Sequence, residues 1–308
     1  MKRLRGLHIR MQENPLDVIE KAADLGMTTF QCFLKNERKH YPFIQRDWLK
    51  TFFVLRRQLF TKIYVHASYW INLCLDKPLG LNILEKELAL VKRFECTHLV
   101  LHPGFADSSF VFGDDIAKRK KQAINNFVST INHVMKNESD VTLVLENTAH
   151  GKYTIGSDIQ DLSVIYEKLD HPEKVRFCID TAHAHAYGYN LTLAEYTSFI
   201  TMLDSMLGHE NIELIHLNNT VDSCGSCLDQ HASLDDGIVS QEVLKYFVQS
   251  RSLMHASLIL ELPVMPITRE RELLELINMW VHEYEIENSL HKANIDHQKA
   301  SLLNQKNL

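Results

Sequence analysis

At 308 residues, the chain is long enough for one large domain or two small ones, and 45% hydrophobic with 23% charged residues is typical of a folded globular protein. No apolar run approaches the length of a membrane span, and the N-terminal MKRLRGLHIR lacks the apolar core of a secretory signal. The formal net charge of −6 argues weakly against a nucleic-acid partner, although three bound divalent cations would neutralise it.

Eight short apolar runs rich in branched side chains alternate with amphipathic stretches. The predicted strands, in chain order, are residues 4–9, 27–34, 62–67, 97–102, 141–146, 175–180, 212–217 and 257–262. The predicted helices are residues 15–25, 46–59, 81–94, 116–136, 157–169, 192–207, 241–250 and 269–284. Eight successive strand–helix units predict an α/β fold, a single-domain (β/α)₈ TIM barrel over residues 1–285. A doubly wound open sheet is the structural alternative.

Residues 286–308 turn polar and lose the apolar stripe, which indicates a tail or a loosely attached helix. The six cysteines do not suggest a disulfide framework, so we expect an intracellular, cytoplasmic protein. Cys224 and Cys227 form a C-x-x-C pair, which can be a redox dithiol or half of a zinc site. Because the chain has no second such pair, free thiols are favoured.

Side chains of metal-binding type recur where the predicted strands end. Residues at the carboxyl ends of barrel strands converge on one mouth and carry the chemistry. Five imidazoles and four carboxylates in one mouth would repel or be badly desolvated without cations, whereas both groups are zinc ligands. The pattern therefore predicts a multi-metal hydrolase, with these residues in its mouth: His66, His102, Glu146, Asp180, His183, His216, Asp229, His231 and Glu261.

No single one of these residues is decisive. A lone histidine such as His66 is more often structural than a ligand. Glu146 ends the most apolar predicted strand, where an unpaired carboxylate would be expensive to bury. Asp180 and His183 would share a face if the chain turned helical there, and His185 is assigned to packing or an outer contact. The recurrence on strand after strand is what makes chance an inadequate explanation.

Several segments together resemble the endonuclease IV family of apurinic/apyrimidinic (AP) endonucleases. They are FLKNERK, HASYWINL, LHPG, LENTA, CIDTAHAHAYGYNL, HLNNT, GSCLDQHASL and LILEL, in the family order and over about residues 4–265. The resemblance implies a barrel with three zinc ions that acts in base excision DNA repair. Such an enzyme hydrolyses the phosphodiester 5′ to an abasic site in double-stranded DNA, leaves a 3′-OH, and trims damaged 3′ ends. It also implies a monomer.

Carried over residue by residue, the resemblance gives three ligand sets. The first zinc would be held by His66, His102 and Glu146, the second by Glu146, Asp180, His216 and Glu261, and the third by His183, Asp229 and His231. Glu146 and Glu261 would thereby orient a zinc-bound hydroxide that attacks phosphorus. The family mechanism needs no covalent protein nucleophile.

The resemblance also implies DNA contacts from Arg38 and Tyr69. These side chains would enter the duplex and occupy the space left as the abasic nucleotide is flipped out. Lys35 could add a phosphate contact. The alternatives are a solvated surface charge for Arg38 and a core aromatic for Tyr69. The loop RMQENP departs from the Gly-rich segment usual in the family, which affects the DNA-binding surface rather than the ligands.

Two other functions compete with this hypothesis. A sugar isomerase or epimerase on the same kind of barrel uses a Glu–Asp–His–Glu set around one divalent ion, and Glu146, Asp180, His216 and Glu261 would satisfy it. That hypothesis leaves the other five residues unexplained. A DNA-binding relative without enzymatic activity would be expected to have lost ligands, and none is lost here.

Overall fold

The structure is a computed structural model and describes residues 3–11, 14–34, 46–106, 115–138 and 140–305. Eight parallel strands close into a barrel in which neighbours follow chain order and the last strand pairs with the first. The strands are β1 Arg5–Ile9, β2 Gln31–Phe33, β3 Tyr64–His66, β4 His98–Leu101, β5 Thr142–Glu146, β6 Val175–Asp180, β7 Ile212–His216 and β8 Ser257–Leu260. Each lies inside a predicted strand. The predicted TIM barrel is confirmed, and the open-sheet alternative is wrong.

Helices follow the strands along the chain. They are α1 Pro15–Asp24, α2 Arg46–Leu59, α3 Leu81–Arg93, α4 Ile116–Met135, α5 Ile159–Glu167, α6 Thr181–Tyr187, α7 Leu193–Leu207, α8 Gln241–Gln249 and α9 Ile267–Gln305. Asn14 caps α1 by accepting hydrogen bonds from the backbone N–H groups of Leu16 and Asp17. Within the described ranges, no helix combines the length and the apolar character that crossing a membrane requires.

The last helix differs most from its predicted range. It begins at Ile267, two residues before the predicted start, and runs without a break to Gln305. Of the two alternatives for the polar end of the chain, a tail or an attached helix, the backbone therefore adopts the helix. The division of the chain at residue 285 stays a prediction.

The pleat of the barrel strands decides which side chains face the mouth. A compact apolar cluster fills the barrel interior, separate from the larger core between strands and helices. Successive side chains on a strand point to opposite faces, so residues two apart share a face. Each interior residue lies two positions before a predicted ligand, and the interior residues are Tyr64, Val100, Val144, Cys178, Leu214 and Ile259. The same alternation that fills the interior therefore places the predicted ligands directly above it.

A short antiparallel pair folds the loop after β7 back over the mouth. Residues Asn219–Thr220 pair with His231–Ala232, with Thr220 opposite His231. This pairing returns His231 to the barrel although it lies fifteen positions after His216, the last residue of β7. A second pair, Gly104–Phe105 with Thr154–Ile155, links the loops after β4 and β5.

A polar network lies at the opposite end of the barrel, where the strands begin. The Glu213 carboxylate accepts a hydrogen bond from the Tyr64 hydroxyl at 2.7 Å and pairs with the Lys62 ammonium. The His98 ring Nε2 lies 3.4 Å from the same carboxylate. Residues at this end of a TIM barrel usually stabilise the fold, so we assign the network to stability.

His98 is expected to make the protein less stable in acid. Burial lowers the pKa of His98 to about 4 despite the opposing charge of Glu213, with Lys62 and Arg176 adding to the decrease. The unfolded chain binds this proton below about pH 6.5. The stabilisation is therefore complete above about pH 6.5 and falls by up to about 3 kcal/mol as the pH drops towards 4.

This prediction is checked by urea unfolding of the native protein and of His98→Gln between pH 4 and 7. Glutamine keeps a polar side chain but does not titrate, so the free energy of unfolding should depend less steeply on pH in the variant. The difference between the two proteins removes the contribution of the other titrating groups. Parallel pH profiles would contradict the prediction.

Candidate metal centre

All nine residues with predicted ligand roles come together at the mouth of the barrel. Eight of them offer potential ligand atoms that form three linked groups, within each of which the atoms lie no more than 4.8 Å apart. The groups are His66, His102 and Glu146; Glu146, Asp180, His216 and Glu261; and Asp180, His183 and His231. The first two groups coincide with the first two predicted ligand sets.

Glu146 joins the first two groups. Its Oε2 lies 3.2 Å from the Nε2 of His66 and 3.1 Å from the Nε2 of His102. Its Oε1 lies 2.8 Å from the Nδ1 of His216 and 3.4 Å from the Nδ1 of His183. The residue is completely buried at the end of β5, so both carboxylate oxygens are directed at imidazoles rather than at water.

Asp229, the ninth residue, completes the third predicted set. Its Oδ1 lies 3.2 Å from the Nε2 of His183 and 3.3 Å from the Nε2 of His231. Asp180 is a further carboxylate near this pair, but its Oδ2 lies 3.7 Å from the Nε2 of His231. The hydrogen bond from the His183 backbone N–H to the Asp180 Oδ1, 2.8 Å long, caps α6. That cap is what turns the chain so that His183 reaches the mouth.

Three of the histidines have their protons fixed by backbone carbonyl groups. The Nδ1 atoms of His66, His183 and His231 lie 2.8, 2.9 and 3.2 Å from the carbonyl oxygens of Ala67, Asn147 and Glu261. A carbonyl oxygen only accepts, so these Nδ1 atoms carry a hydrogen. In the neutral form of each ring, which is the form that binds metal, the Nε2 lone pair then faces a carboxylate. A second ring nitrogen held by a carbonyl is the usual arrangement of a metal-binding histidine.

The donor set fits a divalent cation. An imidazole lone pair directed at a carboxylate oxygen 3.2–3.3 Å away is repulsive unless a positive charge lies between them. Two ligands held about 2.0–2.1 Å from a tetrahedral zinc ion lie roughly 3.3 Å apart. The separations in the first and third sets therefore match those of two ligands that share an ion, whereas the 2.8 Å between His216 and Glu146 in the second set is shorter.

The charges of the site depend strongly on one another. Burial opposes the charged form of each group, yet His216 and other neighbouring imidazoles hold the pKa values of Glu146 and Glu261 well below their usual range. Burial likewise opposes protonation of His183, but Asp180, Asp229 and Glu146 raise its pKa well above the usual value. The carboxylates therefore stay ionised only because positive charge, whether from protons or from metal, is close to them.

Amide side chains that we did not predict from the sequence support the ligands. Asn218 donates to the Asp180 Oδ2 at 2.6 Å and accepts from the Glu261 backbone N–H at 2.8 Å. Asn147 accepts from the Asp180 backbone N–H at 2.7 Å, and Gln31 contacts Glu261 and His216. Their only signal in the sequence was a polar residue inside or just after an apolar strand.

Tyr69 lies at the rim of the mouth with 62% of its surface exposed, so the core-aromatic alternative is wrong. Its ring centroid is 5.0 Å from that of His66 and 5.4 Å from that of Phe33. Together with Arg10, it lines a cleft that opens onto Asp229, His231 and Glu261. The predicted DNA contacts Arg38 and Lys35 lie outside the described residues.

Two further sequence features lie apart from the ligand groups. His185 is buried, and neither of its ring nitrogens has a hydrogen-bond partner within the described ranges, which fits the predicted packing role. Cys224 is exposed and Cys227 half-buried, and both are free thiols.

The model of the xylose isomerase-like TIM barrel family matches residues 19–282, and the chain belongs to this family. Within it, the resemblance to endonuclease IV is confirmed. The chain is 29% identical over 271 residues to a probable endonuclease 4 of Halorhodospira halophila, covering 85% of this chain and 88% of the relative. A probable endonuclease 4 of Mycoplasma genitalium is 28% identical over 230 residues, covering 72% of this chain and 75% of that protein.

Solved structures show the same two levels of similarity, one to endonuclease IV and one to the wider barrel family. The crystal structure of endonuclease IV from Thermus thermophilus superposes with a TM-score of 0.76 at 25% identity, covering 91% of this chain and 99% of that one. A D-tagatose 3-epimerase-like protein superposes with a TM-score of 0.66 at 16% identity, covering 91% and 98%, which shows the shared fold alone.

Proposed function

We propose that this protein is a zinc-dependent AP endonuclease that hydrolyses the phosphodiester 5′ to an abasic site in double-stranded DNA and leaves a 3′-OH. The observation that carries the proposal is the set of three linked ligand groups in one mouth, with imidazole lone pairs turned towards shared carboxylates. The similarity to proteins named endonuclease 4 supports the same substrate class. We further propose 3′-end phosphodiesterase activity, a role in base excision repair and a monomeric protein.

In this proposal each ligand set would hold one zinc ion. The first zinc would be held by His66, His102 and Glu146, the second by Glu146, Asp180, His216 and Glu261, and the third by His183, Asp229 and His231. Bound zinc supplies positive charge to the phosphate and lowers the pKa of water to near neutrality. The buried carboxylate of Glu146 keeps the first two sets in contact, while Glu261 anchors the second set from the end of β8. The partly exposed Asp229 places the third set nearest to solvent.

The cleft beside the ligand groups suits a distorted nucleic-acid backbone. The exposed Tyr69 ring and the exposed Arg10 side chain line its walls, and no partner for Arg10 occurs among the described residues. An aromatic ring can replace lost stacking where a base is missing, and a guanidinium can pair with a phosphate. We therefore include Tyr69 in the DNA interface, and we propose Arg38 and Lys35 there by resemblance.

A single-metal isomerase or epimerase is the second candidate. The Glu146, Asp180, His216 and Glu261 group by itself satisfies the four-ligand set of such an enzyme. It does not account for His66 and His102, whose Nε2 atoms both face the Oε2 of Glu146. It also does not account for His183 and His231, whose Nε2 atoms face Asp229 outside that group. We therefore favour the three-metal hydrolase.

The direct test uses a labelled duplex that contains one abasic site, incubated with the protein in the presence and absence of a chelator. We expect a single cut 5′ to the lesion with a 3′-OH end, no cut in the matched intact duplex, and loss of activity with the chelator. Epimerisation of ketohexoses without DNA cleavage would instead support the second candidate.

Replacing Tyr69 by alanine is expected to weaken the discrimination between abasic and intact duplex more than it lowers the rate of cleavage. Loss of one stacking aromatic should reduce the preference for abasic over intact duplex by roughly tenfold. The single-turnover cleavage rate at saturating enzyme should change less. Binding to both duplexes measures the effect, and Tyr246→Ala, another exposed aromatic but on the outer helix α8, is the matched control. An unchanged binding preference would remove Tyr69 from the interface.

A further inference from the structure

The side chain of Gln31 lies completely buried at the start of β2, next to the second ligand group. Its amide makes three short contacts. The Oε1 lies 2.9 Å from the Nε2 of His216, and the Nε2 lies 2.7 Å from the Oε1 of Glu261 and 2.8 Å from the Nδ1 of His8. The contacts bring together residues from β1, β2 and β7 with the residue that follows β8.

Only one orientation of this amide is compatible with its neighbours. If the amide were flipped, its oxygen would face the Glu261 carboxylate oxygen at 2.7 Å, which is repulsive. The Nε2 therefore donates to Glu261, and the Oε1 accepts from His216. As a result, the His216 Nε2 carries a hydrogen, so that in the neutral ring the lone pair is on Nδ1, which lies 2.8 Å from the Oε1 of Glu146. The His8 Nδ1 lies beside the amide and 3.2 Å from the same Glu261 oxygen.

We propose that Gln31 is a positioning residue for the second ligand set. It acts through two side chains of that set, fixing the tautomer and ring orientation of His216 and the rotamer of Glu261. It performs for His216 the task that backbone carbonyls perform for His66, His183 and His231. The inference rests on the proposed function, because it assumes that this set holds a metal ion.

Removal of the amide would release both ligands at once. The His216 ring could then place its hydrogen on Nδ1, where it would block metal binding, and Glu261 would lose a donor that holds one of its oxygens. Outer contacts of this kind typically change metal affinity by roughly 10- to 100-fold. The effect should be confined to one of the three metal ions, since the amide contacts ligands of the second set alone.

The test replaces Gln31 by methionine, which has a similar volume but neither donates nor accepts strongly, and by glutamate, which keeps the shape and the acceptor for His216 but loses both donors. Thr29→Val is the matched control, because Thr29 is equally buried two positions earlier and its hydroxyl donates to the Lys62 carbonyl oxygen. Metal affinity is measured by chelator competition, and ligand geometry by the visible absorption of the cobalt-substituted proteins.

We expect both Gln31 variants to bind one of three metal ions roughly 10- to 100-fold more weakly and to show an altered cobalt spectrum, with Thr29→Val unchanged. Native affinity and spectrum in either variant would overturn the proposal, and so would failure of both to fold while Thr29→Val folds, since the role would then be structural. If the native protein binds fewer than three metal ions, the proposed function itself fails. If the native protein binds three and the variants match it, only the assignment of Gln31 fails.

Discussion

Replacement of Glu146 by glutamine is expected to abolish cleavage of a duplex with an abasic site, lowering the single-turnover rate on the order of 10³-fold or more. The carboxylate of Glu146 is completely buried, and its two oxygens face ring nitrogens of the first two ligand sets. An amide removes the negative charge that both sets share. Its N–H group could also donate to an imidazole lone pair, which satisfies that nitrogen without a metal ion. Zinc content should therefore fall together with activity.

The matched control is Glu213→Gln, the same substitution at the other end of the barrel. Glu213 is also a largely buried carboxylate, paired with Lys62 and Tyr64. Its loss should lower the free energy of unfolding and leave zinc content and the cleavage rate close to native. If Glu146→Gln retained cleavage within about tenfold of the native rate, Glu146 could not link two metal ions needed for the reaction.

The sequence was sufficient to place most of the candidate ligands at or just after strand ends because two simple periodicities coincide in this fold. Apolar runs of the right length predicted the strands, and the alternation of side chains places every second residue inside the barrel. Glu146 and His216 each lie two positions after an interior residue, Val144 and Leu214. A residue at the carboxyl end of such a strand lies at the mouth of the barrel. Its neighbours there are the residues at the ends of the adjacent strands.

The supporting contacts could not be predicted in the same way, because they depend on how the barrel closes. Gln31 and His216 are 185 positions apart in the chain and meet only because β8 pairs with β1 and β1 with β2. A glutamine within the apolar run FQCFL signals a buried polar group but not its partner. The hairpin that returns His231 to the mouth has two residues per strand, which is too short to leave a periodic pattern.

The third ligand set is where the geometry discriminates between two carboxylates. Asp180 lies close enough to His183 and His231 to form a group with them. However, the nitrogen of His183 that faces Asp180, Nδ1, also faces the Asn147 carbonyl oxygen and therefore carries a hydrogen. The lone pairs of both rings converge instead on Asp229. Asp180 can then serve the second set without being shared.

Replacing Asp229 by asparagine is accordingly expected to lower zinc content from about three ions per chain to about two and to reduce the cleavage rate roughly 100-fold. The first and second sets do not include Asp229, so they should retain their ions. Elemental analysis of the purified variant gives the count directly. Asp235→Asn is the control, since Asp235 lies six positions further along the chain, has similar side-chain exposure, and pairs with Arg269 instead of a histidine.

Retention of three ions in Asp229→Asn would show that Asp180 supplies the third carboxylate after all. The second and third ions would then share that ligand, just as the first and second share Glu146. A native count of one ion would exclude both arrangements and support the single-metal isomerase. The zinc content of this variant and of the native protein therefore separates three arrangements of the same nine side chains, because each arrangement gives a different pair of values.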